Sequence, residues 1–425
     1  MALPSHPPTA IAAGQPTRLN ASWLNAGPLT RVFAAFRGTG EEVRAVGGAV
    51  RNALLSQPIT DIDLATTATP ERVAALASAA GLAVYPTGLA HGTVTVVADG
   101  QSFEITSLRR DVATDGRHAT VAFTRDWAED ASRRDFTINA LYVAADGTLT
   151  DTVGGLADLA AGRVRFIGDA ATRIREDYLR ILRFFRFSAQ YGAGALDATG
   201  LTACAALKDG LAQLSAERVG AELKKLIIAP GAANAVAAMA DVGILSAVLG
   251  VPGAPARLPR LIAIEQTLRD APDAITRLAV TAVSDEPAAR ALAHRLRLSS
   301  AEADALAAAV NTPSEVAAAV GHDTAARALL YRRGRADFQR SVRVAWANSA
   351  AAADDAAWQR LARLPETWTA PRMPISGTDI LALGVAPGPR VGALLSAFET
   401  WWIGKDFPSD SALHQRQLAH LIEHG

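Results

Sequence analysis

Cysteine is almost absent from the sequence: Cys204 is the only one in 425 residues, which excludes an intramolecular disulfide and a cysteine-based zinc site. No apolar run reaches the 18 uncharged residues that an ordinary transmembrane helix needs. Neither charge prevails, since 42 lysines and arginines balance 42 aspartates and glutamates, and the overall basic excess typical of nucleic-acid-binding proteins is missing. These absences predict a cytoplasmic protein that is not inserted in a membrane, and no obligate protein partner is evident.

Basic charge is nevertheless concentrated in one short segment. Such a cluster can bind a polyanion without making the whole chain basic. The five arginines between residues 173 and 186 are Arg173, Arg175, Arg180, Arg183 and Arg186.

The distribution of β-type and helical patterns predicts an α+β protein. Residues 1–25 are rich in proline and lack a basic-then-apolar run, which indicates a flexible extension rather than a secretory signal. Over residues 26–160, short apolar runs alternate with helical segments, which predicts a mixed sheet with helices against it. Alanine-rich segments with a 3.6-residue apolar period then predict a helical neck over 161–230 and a helical body and tail over 231–425. The polar segment 109–130 is predicted to be a long functional loop.

Two glycines, Gly47 and Gly48, separate a predicted strand from a predicted helix, and Asp61 and Asp63 follow on the next predicted strand. Glycine permits positive φ, and the N–H groups at a helix start can receive a phosphate. Aspartates two apart on a strand point to one face, where their carboxylates repel each other unless a cation binds between them. Oxygen ligands of this kind favour Mg²⁺. An Asp-x-Asp pair alone is common in loops and helix caps, so the glycine turn upstream is what favours a metal site.

This glycine turn with its aspartate pair resembles the signature of the polymerase-β-type nucleotidyltransferase superfamily. The resemblance implies a polymerase-β-like head, two Mg²⁺ ions held by Asp61 and Asp63, and a third catalytic carboxylate on a later strand. Glu104, between Phe103 and Ile105, is the best-placed candidate for that carboxylate. The alternative is an exposed strand glutamate without a catalytic role.

Four later blocks, at 133–141, 154–168, 176–183 and 215–225, resemble motifs of class II bacterial tRNA nucleotidyltransferases and poly(A) polymerases. Position 52 departs from the family pattern, because aspartate is usual there and this chain has Asn52, which weakens any metal-binding role for that position. By resemblance, the contacts to the nucleotide triphosphate come from Gly47, Gly48, Arg51 and Arg134.

Residues 176–187 are predicted to form one amphipathic helix. An aspartate and an arginine one turn apart on it can present an acceptor and donors to the edge of a base. The resemblance implies that Asp177 and Arg180 read cytosine or adenine in this way, and that Arg183 and Arg186 steer the base or the triphosphate. An ordinary salt-bridged helix is the alternative.

The implied reaction is attack of an RNA 3′-hydroxyl on the α-phosphate of CTP or ATP, without a nucleic-acid template and with release of pyrophosphate. Three activities compete: addition or repair of the whole CCA end of tRNA, partial addition of CC or A, and poly(A) tailing. The C-terminus lacks the basic extension typical of poly(A) polymerases, and segment 109–130 has the full length that CC-adding enzymes lack, so CCA addition is favoured. From a different class, a non-catalytic RNA-binding protein on the same scaffold is disfavoured because both Asp61 and Asp63 are present.

Overall fold

The computed structural model describes residues 17–85, 88, 92–115 and 118–424, with only the backbone given for 111–115 and 118–121. The chain forms two compact units, residues 1–248 and 249–425. The finer division into extension, head, neck and body stays a prediction. No helix in the described part of the chain is long and apolar enough to cross a membrane.

All strands of the described residues lie in the first unit, and seven of them form one mixed sheet. Their bounds are β1 (Val43–Val46), β2 (Asp63–Thr66), β3 (Ala83–Tyr85), β4 (Thr93–Ala98), β5 (Gln101–Ser107), β6 (Arg109–Asp115), β7 (His118–Phe123), β8 (Leu141–Val143) and β9 (Leu149–Asp151). The sheet has the order β3-β4-β5-β2-β1-β8-β9. Strand β1 is antiparallel to both neighbours, whereas β2 and β5 are parallel. The predicted α+β class with a mixed sheet is confirmed.

Helices are interspersed with these strands and continue after the last of them. They are α1 (Gly27–Phe36), α2 (Gly48–Leu54), α3 (Pro70–Ala79), α4 (Trp127–Ser132), α5 (Gly155–Ala160), α6 (Ala170–Glu176), α7 (Leu179–Tyr191), α8 (Ala198–Ala206), α9 (Ala216–Ile227), α10 (Ala232–Asp241) and α11 (Ile244–Leu249). Helices α1 and α3 pack on β4, whose alternate side chains Val94, Val96 and Ala98 are buried, as the two-residue period of a strand requires.

Segment 109–130 is not the long loop that its polarity predicted. Strands β6 and β7 pair antiparallel as a separate ribbon, and α4 follows with Asp126 as its N-cap. Pairing across the two strands satisfies the inward-facing backbone groups of each, which polar side chains do not prevent. Gly116 and Arg117, at its turn, lie outside the described residues.

The single helix predicted for 176–187 is broken at its start. Helix α6 ends at Glu176 and α7 begins at Leu179, and Asp177 between them has an extended backbone with φ −155°. The Asp177 carboxylate accepts a hydrogen bond from the Leu179 N–H at 3.0 Å, so it replaces a helical backbone bond at this point. The break places Asp177 beside the start of α7 rather than on its surface.

The apolar face of α7 is aromatic. Phe184 stacks on Phe166 with ring centroids 5.5 Å apart, and Phe187 lies 5.3 Å from Phe136. These buried rings pack α7 against Phe136, which lies between α4 and β8, and against Phe166, which lies between α5 and α6. The opposite face of α7 is left for its arginines.

The second unit is helical throughout its described residues, which confirms the predicted helical body and tail. Its helices are α12 (Leu258–Leu268), α13 (Ala274–Ala282), α14 (Glu286–Arg295), α15 (Ser300–Val310), α16 (Pro313–Ala319), α17 (Asp323–Asn348), α18 (Ala356–Thr367), α19 (Gly377–Ala382), α20 (Pro389–Gly404) and α21 (Ser411–His424). Helix α17 is kinked at Gly334, whose φ is 71°. A separate core near the C-terminus is built around Phe398, Trp402 and Leu418.

Candidate active site

A tight turn joins β1 to α2, with only Gly47 between Val46 and Gly48. Gly47 has φ 69°, a left-handed conformation that residues with a side chain rarely adopt. A Cβ at this position would lie 3.6 Å from the carbonyl oxygen of Asn139, an ordinary van der Waals distance, so the backbone conformation rather than lack of space favours glycine. The first N–H groups of α2 lack partners within the helix and carry partial positive charge, so the turn suits an anionic ligand.

The acidic residues lie next to this turn. Asp63 opens β2 opposite Val46, and the parallel pairing of β2 with β5 puts Glu104 beside it on the neighbouring strand. Asp61 precedes the strand, so the prediction that both aspartates lie on it is wrong for Asp61. The reason is that β2 pairs with β1 only from Asp63 onward.

The surroundings of Asp63 disfavour its charged form. Partial loss of hydration, followed by the negative charges of Glu104 and Asp61, raises the pKa of the Asp63 carboxyl, while Arg134 acts in the opposite direction. Within the described ranges neither aspartate has a salt bridge or a side-chain hydrogen bond. Adjacent carboxylates without a cationic partner fit a divalent cation. In those same ranges no three His, Cys, Asp or Glu side chains are gathered to hold a metal by themselves, so phosphates and water would complete the ligand set.

Two cavities meet at Asp63. The larger, of about 480 Å³, extends from the glycine turn to α7. The smaller, of about 280 Å³, shares Gly47, Asp63, Arg133 and Arg134 with it and reaches Glu104. The larger is lined by Gly47, Gly48, Arg51, Asp63, Arg133, Arg134, Asp135, Asn139, Asp177, Leu179, Arg180, Arg183, Phe187 and Arg218. Residues far apart in sequence thus form one polar chamber with acidic groups at one end and arginines along its walls.

Asp130, in α4, anchors two of the wall arginines. Its side chain is 1% exposed and accepts hydrogen bonds from Arg133 (2.9 and 2.6 Å), from Arg134 (3.1 and 2.9 Å) and from the hydroxyl of Tyr142 (2.8 Å). Burial acts to raise the pKa of Asp130, but the charges of Arg134 and Arg133 outweigh it and hold that pKa below its usual range. One buried carboxylate therefore orients both arginines toward the cavities.

A second buried carboxylate, Asp135, links the head to α7. Its Oδ2 accepts two hydrogen bonds from Arg183, at 2.8 and 2.5 Å, and its Oδ1 accepts from the Asn139 amide at 3.0 Å. The amide oxygen of Asn139 in turn accepts a hydrogen bond from Arg51. Despite burial, the Arg183 charge keeps the pKa of Asp135 low, so the carboxylate stays ionised and Arg183 is held against the head.

Asp177 and Arg180, the predicted base-reading pair, both line the larger cavity but do not pair with each other. Asp177 accepts a hydrogen bond from Arg218 of α9 at 2.7 Å. Arg180 donates to Glu176 at 2.5 Å and to the Arg173 carbonyl at 2.8 Å. Each keeps polar atoms that these contacts do not use, since a guanidinium has five donors and a carboxylate about four acceptor positions.

Comparison with known proteins agrees with this arrangement. Residues 43–165 match the family model described as the poly A polymerase head domain, and residues 195–256 match the probable RNA and SrmB-binding site of polymerase A. The mitochondrial CCA tRNA nucleotidyltransferase 1 of Mus musculus is 36% identical over 385 residues, which cover 88% of this chain and 85% of the relative. The chain belongs to the family of CCA-adding tRNA nucleotidyltransferases.

Other members of the CCA-adding family support the assignment over most of the chain. The CCA-adding enzyme of Limosilactobacillus fermentum is 31% identical over 373 residues, covering 87% of this chain and 90% of that protein. The crystal structure of the Bacillus stearothermophilus CCA-adding enzyme in complex with CTP superposes with a TM-score of 0.71 at 26% identity, over 93% of this chain and 98% of that one. A Thermotoga maritima CCA-adding enzyme complexed with tRNA, at 19% identity and a TM-score of 0.69, shares the fold over 95% of this chain and 97% of that one.

Membership of the CCA-adding family confirms several predictions. The chain is a template-independent RNA nucleotidyltransferase of the polymerase-β superfamily that acts in tRNA CCA addition, and such enzymes use a divalent metal. The roles given to individual site residues stay predictions. Three predicted residues do not line the larger cavity: Glu104 lines only the smaller one, and Asp61 and Arg186 line neither. Arg186 bonds Glu222 of α9 at 2.5 Å and lies over the Phe187 ring.

Sequence reasoning missed the residues that hold the wall of the site. Asp135 and Asn139 lie inside the block 133–141, and their polar side chains next to Phe136, Ile138 and Ala140 were the available signal. Asp130 gave no such signal, because it lies in the segment 109–130, which was predicted to be a long functional loop. Arg218 and Tyr191 are brought in by α9 and by the end of α7, which only the packing of the neck reveals.

Proposed function

We propose that this chain adds or repairs the 3′-terminal CCA of tRNA from CTP and ATP, with Asp61 and Asp63 as ligands of two Mg²⁺ ions. The observation that carries this proposal is the single cavity that joins the glycine turn and Asp63 to Asp177 and Arg180. Phosphates and base of one nucleotide can occupy its two ends. The 3′ end of tRNA would approach at the acidic end.

Each end of the cavity supports one part of the reaction. In the transfer, the tRNA 3′-oxygen forms a bond to the α-phosphorus while the bond to the β-phosphate oxygen breaks, and pyrophosphate leaves. When bound, Mg²⁺ lowers the pKa of the attacking hydroxyl and neutralises charge on the leaving phosphates. Asp61 and Asp63 would hold the two cations, Glu104 is the third catalytic carboxylate, and Arg51 and Arg134 bind the triphosphate together with Gly47 and Gly48.

Choice of nucleotide is assigned to the neck side of the cavity. Asp177 offers carboxylate acceptors and Arg180 offers donors, which together complement the Watson–Crick edge of cytosine or adenine. The salt bridge from Arg218 and the contact of Arg180 with Glu176 hold both groups in fixed positions before the base arrives. Arg183 lines the same cavity and is held there by its salt bridge to Asp135. Arg186, which does not line the cavity, is assigned a role in steering the base or the triphosphate.

The product of the reaction distinguishes CCA addition from the related activities. Purified protein is incubated with tRNA lacking its last three nucleotides, and with CTP alone, ATP alone or both, and the products are sequenced. We expect two cytidines from CTP alone and the complete CCA from both nucleotides. Addition of cytidines only, of one adenosine only, or of a long A tract on unrelated RNA would refute the proposal.

The Asp61→Ala variant tests the alternative of a non-catalytic RNA-binding protein. We expect the variant to bind tRNA and to add no nucleotide, whereas a binding module would keep its function. Asp304→Asn serves as a control because Asp304 is an exposed residue of the second unit whose ion pair is with the exposed Arg290. The cytoplasmic location and the absence of an obligate protein partner stay predictions.

A further inference from the structure

Arg51 is a buried cation whose hydrogen-bond partners are all neutral. The residue is 6% exposed, and its guanidinium donates to the Asn139 amide, to the Tyr191 hydroxyl at 2.8 Å and to the Asn52 amide oxygen at 3.1 Å. Its Nε is buried without a partner in the described residues. A buried charge without an opposite charge is costly, so the site gains when an anion approaches.

The carboxylate nearest to this network is already engaged. Asp135 reaches Arg51 only through Asn139, and both of its oxygens are occupied by Arg183, by the Asn139 amide and by a backbone N–H. The Tyr191 ring, whose centroid lies 4.1 Å from the Arg51 guanidinium carbon, compensates part of the charge by a cation–π contact. The remaining charge faces the cavity that Arg51 lines.

Asn52 is one of the uncharged hydrogen-bond partners of Arg51. Its Oδ1 accepts from Arg51 and from the Tyr191 hydroxyl (3.3 Å), and its Nδ2 donates to the Pro58 carbonyl at 2.9 Å. An arginine can only donate and a carbonyl can only accept, so the orientation of the amide is fixed by its partners. A carboxylate at this position would pair with Arg51 as an ion and repel the Pro58 carbonyl.

We propose that Asn52 acts on nucleotide binding through Arg51: because the Asn52 side chain carries no charge, the Arg51 charge is left to be neutralised by the incoming triphosphate. The inference rests on the proposed function and deepens it, because it assigns a role at the one motif position where this chain departs from the aspartate usual in its family. The effect is independent of the base, so CTP and ATP are affected alike.

The test compares a charged and two uncharged substitutions at this position. Dissociation constants of CTP and ATP with Mg²⁺ are measured calorimetrically without tRNA, for the native chain and for Asn52→Asp, Asn52→Ala and Asn52→Ser. We expect Asn52→Asp to weaken both nucleotides by about tenfold, the effect of one lost charge-assisted contact, and the neutral variants by less than about threefold. In turnover with tRNA, KM should rise more than kcat falls in Asn52→Asp. Asn25→Asp, which adds the same charge at an exposed residue of the first unit, should change neither.

Two outcomes would overturn the inference: dissociation constants unchanged in Asn52→Asp, or equal losses in the charged and neutral variants. Thermal unfolding of each variant confirms that it folds, and aspartate is expected to be accommodated because it is the usual residue of the family pattern. Binding is measured without an acceptor RNA, so failure to add CCA would refute the proposed function alone. Equal affinities in an active enzyme would refute the role of Asn52 alone.

Discussion

Asp130 offers the sharpest test of how the active-site wall is held. Asp130→Asn removes the carboxylate that receives hydrogen bonds from both Arg133 and Arg134, and it turns one acceptor into a donor that faces their N–H groups. The carboxylate is 1% exposed and the arginines 15% and 20%, so water cannot replace the lost partner. Removing one member of such a buried ionic group costs about 3 kcal/mol or more of unfolding free energy.

The assay is urea unfolding of the native and variant proteins, followed by kcat/KM for CTP. We expect the free energy of unfolding to fall by about 3 kcal/mol and kcat/KM to fall at least about tenfold, because Arg134 loses its orientation toward the cavity. Asp304→Asn removes an exposed ion pair in the other unit and should leave both quantities unchanged. A loss below about 1 kcal/mol in Asp130→Asn would refute the reasoning, since that is the size expected of a surface pair.

The same carboxylate predicts a dependence on pH. The folded-state pKa of Asp130 is lowered from its ordinary value of 3.8, so the folded protein binds its proton less readily than the unfolded chain. Its stabilising contribution is therefore complete above that ordinary value and is lost as the pH falls through the lower folded pKa. The stability difference between native protein and Asp130→Asn should shrink below about pH 4. A difference constant down to pH 2 would contradict this.

Three further predictions concern other parts of the chain. The pKa of the Asp63 carboxyl is raised, so its negative charge is unfavourable in the folded, metal-free protein at neutral pH. Asp63→Asn should therefore raise the melting temperature measured without metal and abolish nucleotide addition. A lower melting temperature would contradict this. Glu265→Gln removes the carboxylate that pairs with the buried Arg277 and should lower the free energy of unfolding, measured with denaturant, by about 3 kcal/mol. Replacing both residues by apolar ones should change that free energy little. Equal losses in the two variants would contradict this. Gly155→Ala puts a Cβ 2.2 Å from the Thr137 carbonyl oxygen and should markedly lower the melting temperature, and an unchanged value would show that the backbone relaxes there.

Much of the fold was predictable because it follows from local patterns. The mixed sheet follows from short apolar runs between turn residues, and in β4 every second residue is buried, as such a pattern requires. The helical second half follows equally from its 3.6-residue apolar period. The position of individual helix breaks was less predictable: Gly243, with a φ of 75°, separates α10 from α11 within an alanine-rich stretch whose apolar pattern hides the break.

The candidate site was only partly predictable. Glycine turns and paired acidic residues are local signals, and they led to Gly47, Gly48, Asp61 and Asp63. Which side chains surround those residues is determined by tertiary packing, which the sequence does not show. Asp130 lies in a polar segment typical of a loop, but it is buried against Tyr142 and two arginines. The break at Asp177 was hidden because apolar periodicity continues across it, although a side chain that bonds the backbone can interrupt a helix.

The central claim is that Asp61 and Asp63 carry the chemistry while the rest of the cavity binds the nucleotide. The most direct test is single-turnover addition of CMP to tRNA lacking CCA by native protein, Asp61→Ala and Asp63→Ala, with the CTP dissociation constant measured in parallel. The account predicts a rate at least about a thousandfold lower in each variant, and a dissociation constant changed far less than the rate. A variant that adds CMP within about tenfold of the native rate would contradict it.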